Sequence, residues 1–185
     1  MKLSQLIQEV SKDIDDTLSN ADITGWLNRA IDDLTPYAKH KKIATIQTVI
    51  DQKNYELPSD FRNLEHLFDE GIKRELALLP MDDTYNRGYK KWGNTLILQP
   101  VPKEAGELTL YYHAKLPRLV NPDDEPVIPS EYHDLLVLYA VAKAKYQDEE
   151  ESMQAIAMNE YYARREQFIT FSQTGEIYQI QDVYW

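Results

Sequence analysis

Apolar residues recur at helical spacing from Leu3 to Leu34, at alternate positions through the middle of the chain, and at helical spacing again after Pro126. Leu3, Leu6, Ile7, Val10, Ile14 and Leu18 step along one stripe of a first predicted helix. Ser19, Asn20, Ala21 and Asp22 interrupt it, and Asp22 is placed to cap the next helix. Ile23, Trp26, Leu27, Ala30, Ile31 and Leu34 form a second stripe, with Asn28, Arg29, Asp32 and Asp33 opposite. Thr35 and Pro36 end it, because proline disfavours helical geometry in the residue before it. Both stripes read as core packing. Trp26 is expected to be the costliest loss, since truncating a core aromatic costs roughly 3–5 kcal/mol.

Lys39, His40, Lys41 and Lys42 read as a solvated basic patch, after which β-branched residues take over. Ile43 to Ile50 predicts a strand and Asp51 to Asn54 a turn. Tyr55 to Leu57 then returns antiparallel, stopped by Pro58. Leu64 to Phe68 and Ile72 to Leu76 flank Asp69, Glu70 and Gly71 as a hairpin. Met81 to Tyr89 is polar and admits a short helix. Tyr89 to Trp92 and Thr95 to Gln99 give the clearest hairpin, because Gly93 and Asn94 tolerate the positive φ of a tight turn. Glu107 to Ala114 alternates and predicts the last strand.

The polar link Asn121 to Pro126 leads into a helical hairpin. Pro129 suits a helix start because it has no N–H to leave unpaired, and Ser130 is placed as the cap. Tyr132, Leu135, Leu136, Leu138, Tyr139 and Ala142 cover a broad arc, so this helix is predicted to be buried on more than one side. Asp148 to Glu151 puts four like charges at an elbow. Met153, Ile156, Ala157, Tyr161, Arg164 and Phe168 carry the second, antiparallel helix. Runs of each element type argue for α+β. The expected architecture is predominantly a helical bundle of the N- and C-terminal helix pairs, residues 1–40 and 126–174. An antiparallel β region of short strands, residues 41–125, is inserted, and residues 175–185 form an extended C-terminal arm.

Composition narrows the chemistry. The 185 residues suit one domain, or a domain with an appendage. Thirty-one acids against twenty bases give a net charge of −11, poor support for gripping a phosphate backbone. No apolar run is long enough to span a membrane, and the N-terminus lacks a secretory apolar core, so a soluble, intracellularly made chain is expected. His40, His66, His113 and His133 lack ligand spacing and there is no cysteine, so no metal site is predicted. The six glycines build no phosphate cradle before a helix, and there is no nucleophile elbow. Catalytic residues and cofactors are accordingly expected to be none.

The tail is the informative exception. Gly175 can end the preceding helix. Ile177, Tyr178, Ile180, Val183, Tyr184 and Trp185 then give an extended, aromatic terminus. Such a segment either folds back as an edge strand or reaches a partner by strand addition or aromatic anchoring.

Six pieces in order carry a resemblance. They are the helix of Leu3, Leu6 and Ile7; Trp26 to Ala30; Tyr55 to Phe61; Leu96 to Pro102; Leu108 to Tyr112; and Ile128 to Asp134. Over roughly Met1 to Phe171 the chain resembles the head–tail adaptor (connector, or head completion) proteins of tailed bacteriophages. The resemblance implies a non-enzymatic virion component of the neck between capsid and tail, made in the bacterial host cytoplasm. It implies a ring, often dodecameric, bound beneath the portal protein. The ring extends the DNA channel and offers a platform to a downstream tail or stopper protein. It also makes Ile177, Tyr178, Ile180, Val183, Tyr184 and Trp185 the portal-contacting residues, since the C-terminal segment of such proteins commonly docks there. DNA would pass without specific binding, which an acidic chain favours by repulsion. Asp123, Asp124, Glu125 and Asp148 to Glu151 are the candidates for lining that passage. Ring closure requires a head-to-tail contact among copies, and a free monomer that closes only on the portal fits this, because the portal concentrates neighbours. Two alternatives stand beside it: a small hydrolase using His133, Asp134 and a nearby carboxylate, and a helical protein–protein interaction module outside the virion.

Overall fold

The computed structural model describes residues 1–14, 18–147 and 151–174. Four α-helices, one 3-10 turn and seven strands occur among them. The chain divides into two compact units, Met1–Lys39 with Leu116–Trp185, and His40–Lys115.

In the first unit, α1 (Leu3–Lys12) buries Leu3, Leu6 and Val10. Ser19, not Asp22, caps α2 (Asn20–Leu34): its hydroxyl oxygen accepts the Asp22 N–H at 3.1 Å. The shorter side chain reaches that N–H from outside the helix, as a cap must. The buried stripe of α2 is Ile23, Leu27, Ala30, Ile31 and Leu34. Trp26 is only partly buried and packs on the rim of this core, so Leu27, not Trp26, fills the central place. Ser130 forms no side-chain cap; Ser130–Tyr132 is a 3-10 turn whose first carbonyl is that of Pro129. Helix α3 (Asp134–Gln147) follows and packs against α1, α2 and α4 (Glu151–Thr174). Burial on several sides explains why Leu135, Leu136, Ala140, Ala142 and Ala144 trace no single stripe. Alanine lets three neighbours approach one helix closely. On α4, Ala157, Tyr161 and Phe168 face the core, whereas Met153 and Ile156 are 53% and 56% exposed.

The second unit overturns the expectation of a predominantly helical bundle. Among the described residues helix accounts for 39% and strand for 25%, and the strands form two antiparallel sheets. The first sheet has the order β1 (Lys41–Thr48), β7 (Gly106–Ala114), β3 (Phe61–Asp69), β4 (Arg74–Glu75). The second has the order β2 (Asn54–Glu56), β6 (Thr95–Gln99), β5 (Gly88–Trp92). Both sheets contribute to one core: Tyr55, Leu96, Leu98 and Tyr89 from one, Leu67, Leu108, Leu110 and Tyr112 from the other. The period-two pattern predicts strands but not that their inward residues complete a core of their own.

Two local expectations also change. β2 does not return on β1; Tyr55 pairs with Leu96 in the other sheet, while β1 pairs with β7 from Lys41↔His113 to Thr48↔Gly106. An eight-residue ladder with a distant strand outweighs a three-residue local hairpin. The Tyr55 hydroxyl still anchors the intervening turn, accepting the Val49 N–H at 3.0 Å and donating to the Gln52 carbonyl at 2.8 Å. Residues 81–87 form turns and bends, not a helix.

Gly88 is needed by close packing. A Cβ there would lie 2.3 Å from the Ala77 carbonyl oxygen and 2.9 Å from Leu79 Cγ. That carbonyl is fixed, because it accepts the Tyr89 N–H at 2.9 Å. Gly88→Ala is therefore expected to destabilise the protein by about 1–3 kcal/mol through overpacking. Denaturant unfolding of the two proteins checks this; an unchanged midpoint would refute it.

Candidate functional site

His133 and Asp134, the pair that a hydrolase would need, are adjacent in sequence but engaged in separate contacts. His133 is only 3% exposed. Its Nε2 donates to the Ile128 carbonyl at 3.0 Å, so Nδ1 carries the lone pair and accepts from the Met1 amino group at 2.6 Å. Burial lowers the pKa of His133, and the N-terminal charge acts in the same direction; the Ile128 carbonyl opposes both. The Asp134 carboxylate accepts from Arg164 Nε at 2.9 Å, and Arg164 also stacks over Tyr132. Neither group lines the α1–α2 groove or the cavity between β3 and the 99–106 loop. Among the described residues no three His, Asp or Glu side chains gather to hold a metal ion.

The other perturbed groups have structural causes. Burial, with the hydrogen bond donated to Asp33, raises the pKa of Tyr161. Asp33 also accepts from Arg165 Nη1 at 3.0 Å, and that guanidinium lies among the rings of Tyr37, Tyr161 and Tyr162. This cluster latches α4 to α2. In the second unit, burial and the bond donated to Asp60 push Tyr112 up to about 12. Asp83 is held at about 2 by the Asn86 side chain and by the N–H groups of Asn86 and Tyr85. Lys90, also buried, donates to the carbonyls of Met81 and Asp83. These contacts fix the 81–87 loop; they assemble no reactive centre.

What remains is surface. Between α1 and α2 runs an open groove of about 1030 Å³. Leu3, Ile7, Leu119 and Val120 supply its apolar lining, and Val120 is 75% exposed. Among the described residues lining it Lys12 is the one that is charged, and it pairs with Glu9 at 2.7 Å. Gly25 sits in it, inside α2, and a Cβ on Gly25 would meet nothing within 4 Å. The sequence reading passed over Gly25, although a glycine within a strong helical stripe is a visible signal.

The predicted portal-contacting residues Ile177, Tyr178, Ile180, Val183, Tyr184 and Trp185 lie outside the described residues, as do Asp148, Glu149 and Glu150. Of the other acids proposed for the DNA passage, Asp123 pairs with Lys2 at 2.8 Å. The Asp124 carboxylate accepts the N–H groups of Val120 and Asn121, both at 2.7 Å, and its pKa is lowered by them. Asp124 therefore serves the loop.

A family model described as SU10 adaptor protein matches residues 1–179. No protein of curated function matches the chain.

The His133 contacts predict a pH dependence. Its folded-state pKa is lowered, so the stability it contributes is complete above the ordinary value of about 6.5 and is lost as pH falls from there towards the folded-state value. His133→Gln retains a donor for Ile128 and an acceptor for Met1 but does not titrate. Between pH 7 and pH 5 the Tm of the parent is expected to fall more than that of His133→Gln. Parallel melting curves would refute the assignment.

Proposed function

The chain belongs to the SU10 adaptor protein family of tailed bacteriophages, and on that premise we propose that it is a structural neck component, assembled as a ring beneath the portal. In this reading the ring continues the DNA channel and presents a docking platform to the next tail or stopper protein. The observation that carries it is the family match, which spans nearly the whole chain.

The physical features support a role through shape and contact. A net charge of −11 disfavours adhesion to DNA in transit. His133 and Asp134 are committed to the N-terminus, Ile128 and Arg164, which leaves the hydrolase alternative without its central pair. Exposed apolar side chains on α4 and beside the α1–α2 groove provide area for protein partners. The arm of residues 175–185, with Ile177, Tyr178, Ile180, Val183, Tyr184 and Trp185 as anchors, is assigned to the portal. A helical interaction module outside the virion would instead form a small stable oligomer and ignore the portal.

Mixing the purified chain with its portal, with and without residues 175–185, tests the reading. The full chain is expected to bind, and the truncated chain to bind at least tenfold more weakly, a difference of about 1.4 kcal/mol. Equal binding by the truncated form would remove the arm from the mechanism. No binding by the full chain would overturn the adaptor assignment itself.

A further inference from the structure

We propose that the groove between α1 and α2 receives the outward ridge of α4 from a second copy of this chain, and that this contact closes the ring. The proposal rests on the adaptor reading above and names the surfaces through which its copies meet.

The ridge is Met153, Ile156, Glu160 and Ala163, spaced three, four and three apart on α4 and all exposed. These residues lie off the face that buries Ala157, Tyr161 and Phe168, so with Met153 and Ile156 the apolar surface of α4 extends beyond the part that meets its own unit. The groove and the ridge occupy different flanks of that unit. α1 packs on α2 and α3, and α4 packs on α3, reaching α2 through Asp33 near the far end from the groove residues Asn20 to Asn28. A contact between two different surfaces of one chain is head-to-tail, the type that generates rings.

Gly25 gives the groove its depth. A glycine within a helix is destabilising relative to alanine, and among the described residues no atom would meet a Cβ here. Close approach of another helix would require it. Charge selects the same occupant. Copies of a chain with 31 acids meet with least repulsion at a lining that, among the described residues, holds one lysine and no acid. Lys12 in the groove pairs with Glu9 of its own helix at 2.7 Å, an exposed pair of little net worth, so it can exchange that partner for Glu160 of the ridge.

The chain has no cysteine, so introduced thiols report one contact at a time. On the portal, the double variant Val120→Cys/Ile156→Cys treated with a short bis-maleimide is expected to give a ladder of covalent multimers. Each single variant is expected to remain monomeric. Gly25→Gln should leave Tm unchanged or higher, because a Cβ there meets no atom of the described residues within 4 Å and Gln is the better helix former, yet reduce ring assembly on the portal at least tenfold. Undiminished assembly of Gly25→Gln, covalent dimers from a single variant, or no ladder from a double variant that still rings would overturn this contact alone. Failure of the parent chain to assemble on the portal would overturn the adaptor reading and the contact with it.

Discussion

The side-chain amide of Asn28 holds the helical unit closed across the longest gap in its sequence. Its Nδ2 donates to the Leu119 carbonyl at 2.9 Å, and its Oδ1 accepts the Leu119 N–H at 2.8 Å. One side chain thus pairs with a backbone residue as a neighbouring strand would. The chain leaves this unit after Lys39 and re-enters it at Leu116, so α2 and the rest of the core must be joined by something other than continuity. The same returning segment completes α1, whose Leu3 and Ser4 N–H groups are donated to the carbonyls of Asp124 and Pro122. Those are among the N–H groups that a helix start leaves without intrahelical partners. Asp124 then fixes the segment through Val120 and Asn121. Leaving one such buried group unpaired costs about 1–3 kcal/mol, whereas the exposed Arg118–Asp32 pair alongside contributes little.

The closure explains how the unit combines rigidity with an unused face. α3 is surrounded, and its alanines accept neighbours on several sides. α4 is held at one face by Tyr161, Phe168 and the Asp33–Arg165 latch, so Met153 and Ile156 can stand exposed beside that face without loosening the fold. Exposed apolar side chains beside a buried helix face are of little use to a monomer, but in an assembly subunit they become buried in the complex.

Local periodicity was legible in the sequence wherever a single neighbour decides the outcome. The hairpin of β5 and β6 follows from Gly93 and Asn94, and Gly93 has the positive φ that such a turn requires. The alternation of Leu108, Leu110 and Tyr112 on β7 maps directly onto burial. What was not legible depends on distant partners. Tyr55 lies beside β1 in sequence, yet its strand joins β6, a choice set by which ladder is longer. Met153 and Ile156 share the spacing of Ala157 and Tyr161, but spacing alone does not say which side of α4 meets the core. His133 stands beside Asp134 in the sequence as half of a hydrolase pair, and only the fold brings Met1 and the Ile128 carbonyl to its two nitrogens. The candidate surface was half-legible: Gly25 stands out in the sequence, but that it lines a groove requires α1 and Leu119 in place.

Electrostatics then constrains how such a surface can work. Copies each carrying −11 repel at long range, and physiological salt limits that repulsion to about 8 Å. Attraction must therefore come from groups in contact, and apolar burial is the contribution that salt does not weaken. A groove with apolar walls and a single lysine answers that constraint better than any acidic face of the molecule could. The same repulsion opposes assembly in dilute solution and is offset once a template holds neighbours at high effective concentration. An acidic chain that associates through apolar ridges would thus stay dispersed until its binding partner is present. The same charge that would hinder premature assembly would also keep a DNA channel from adhering to its contents.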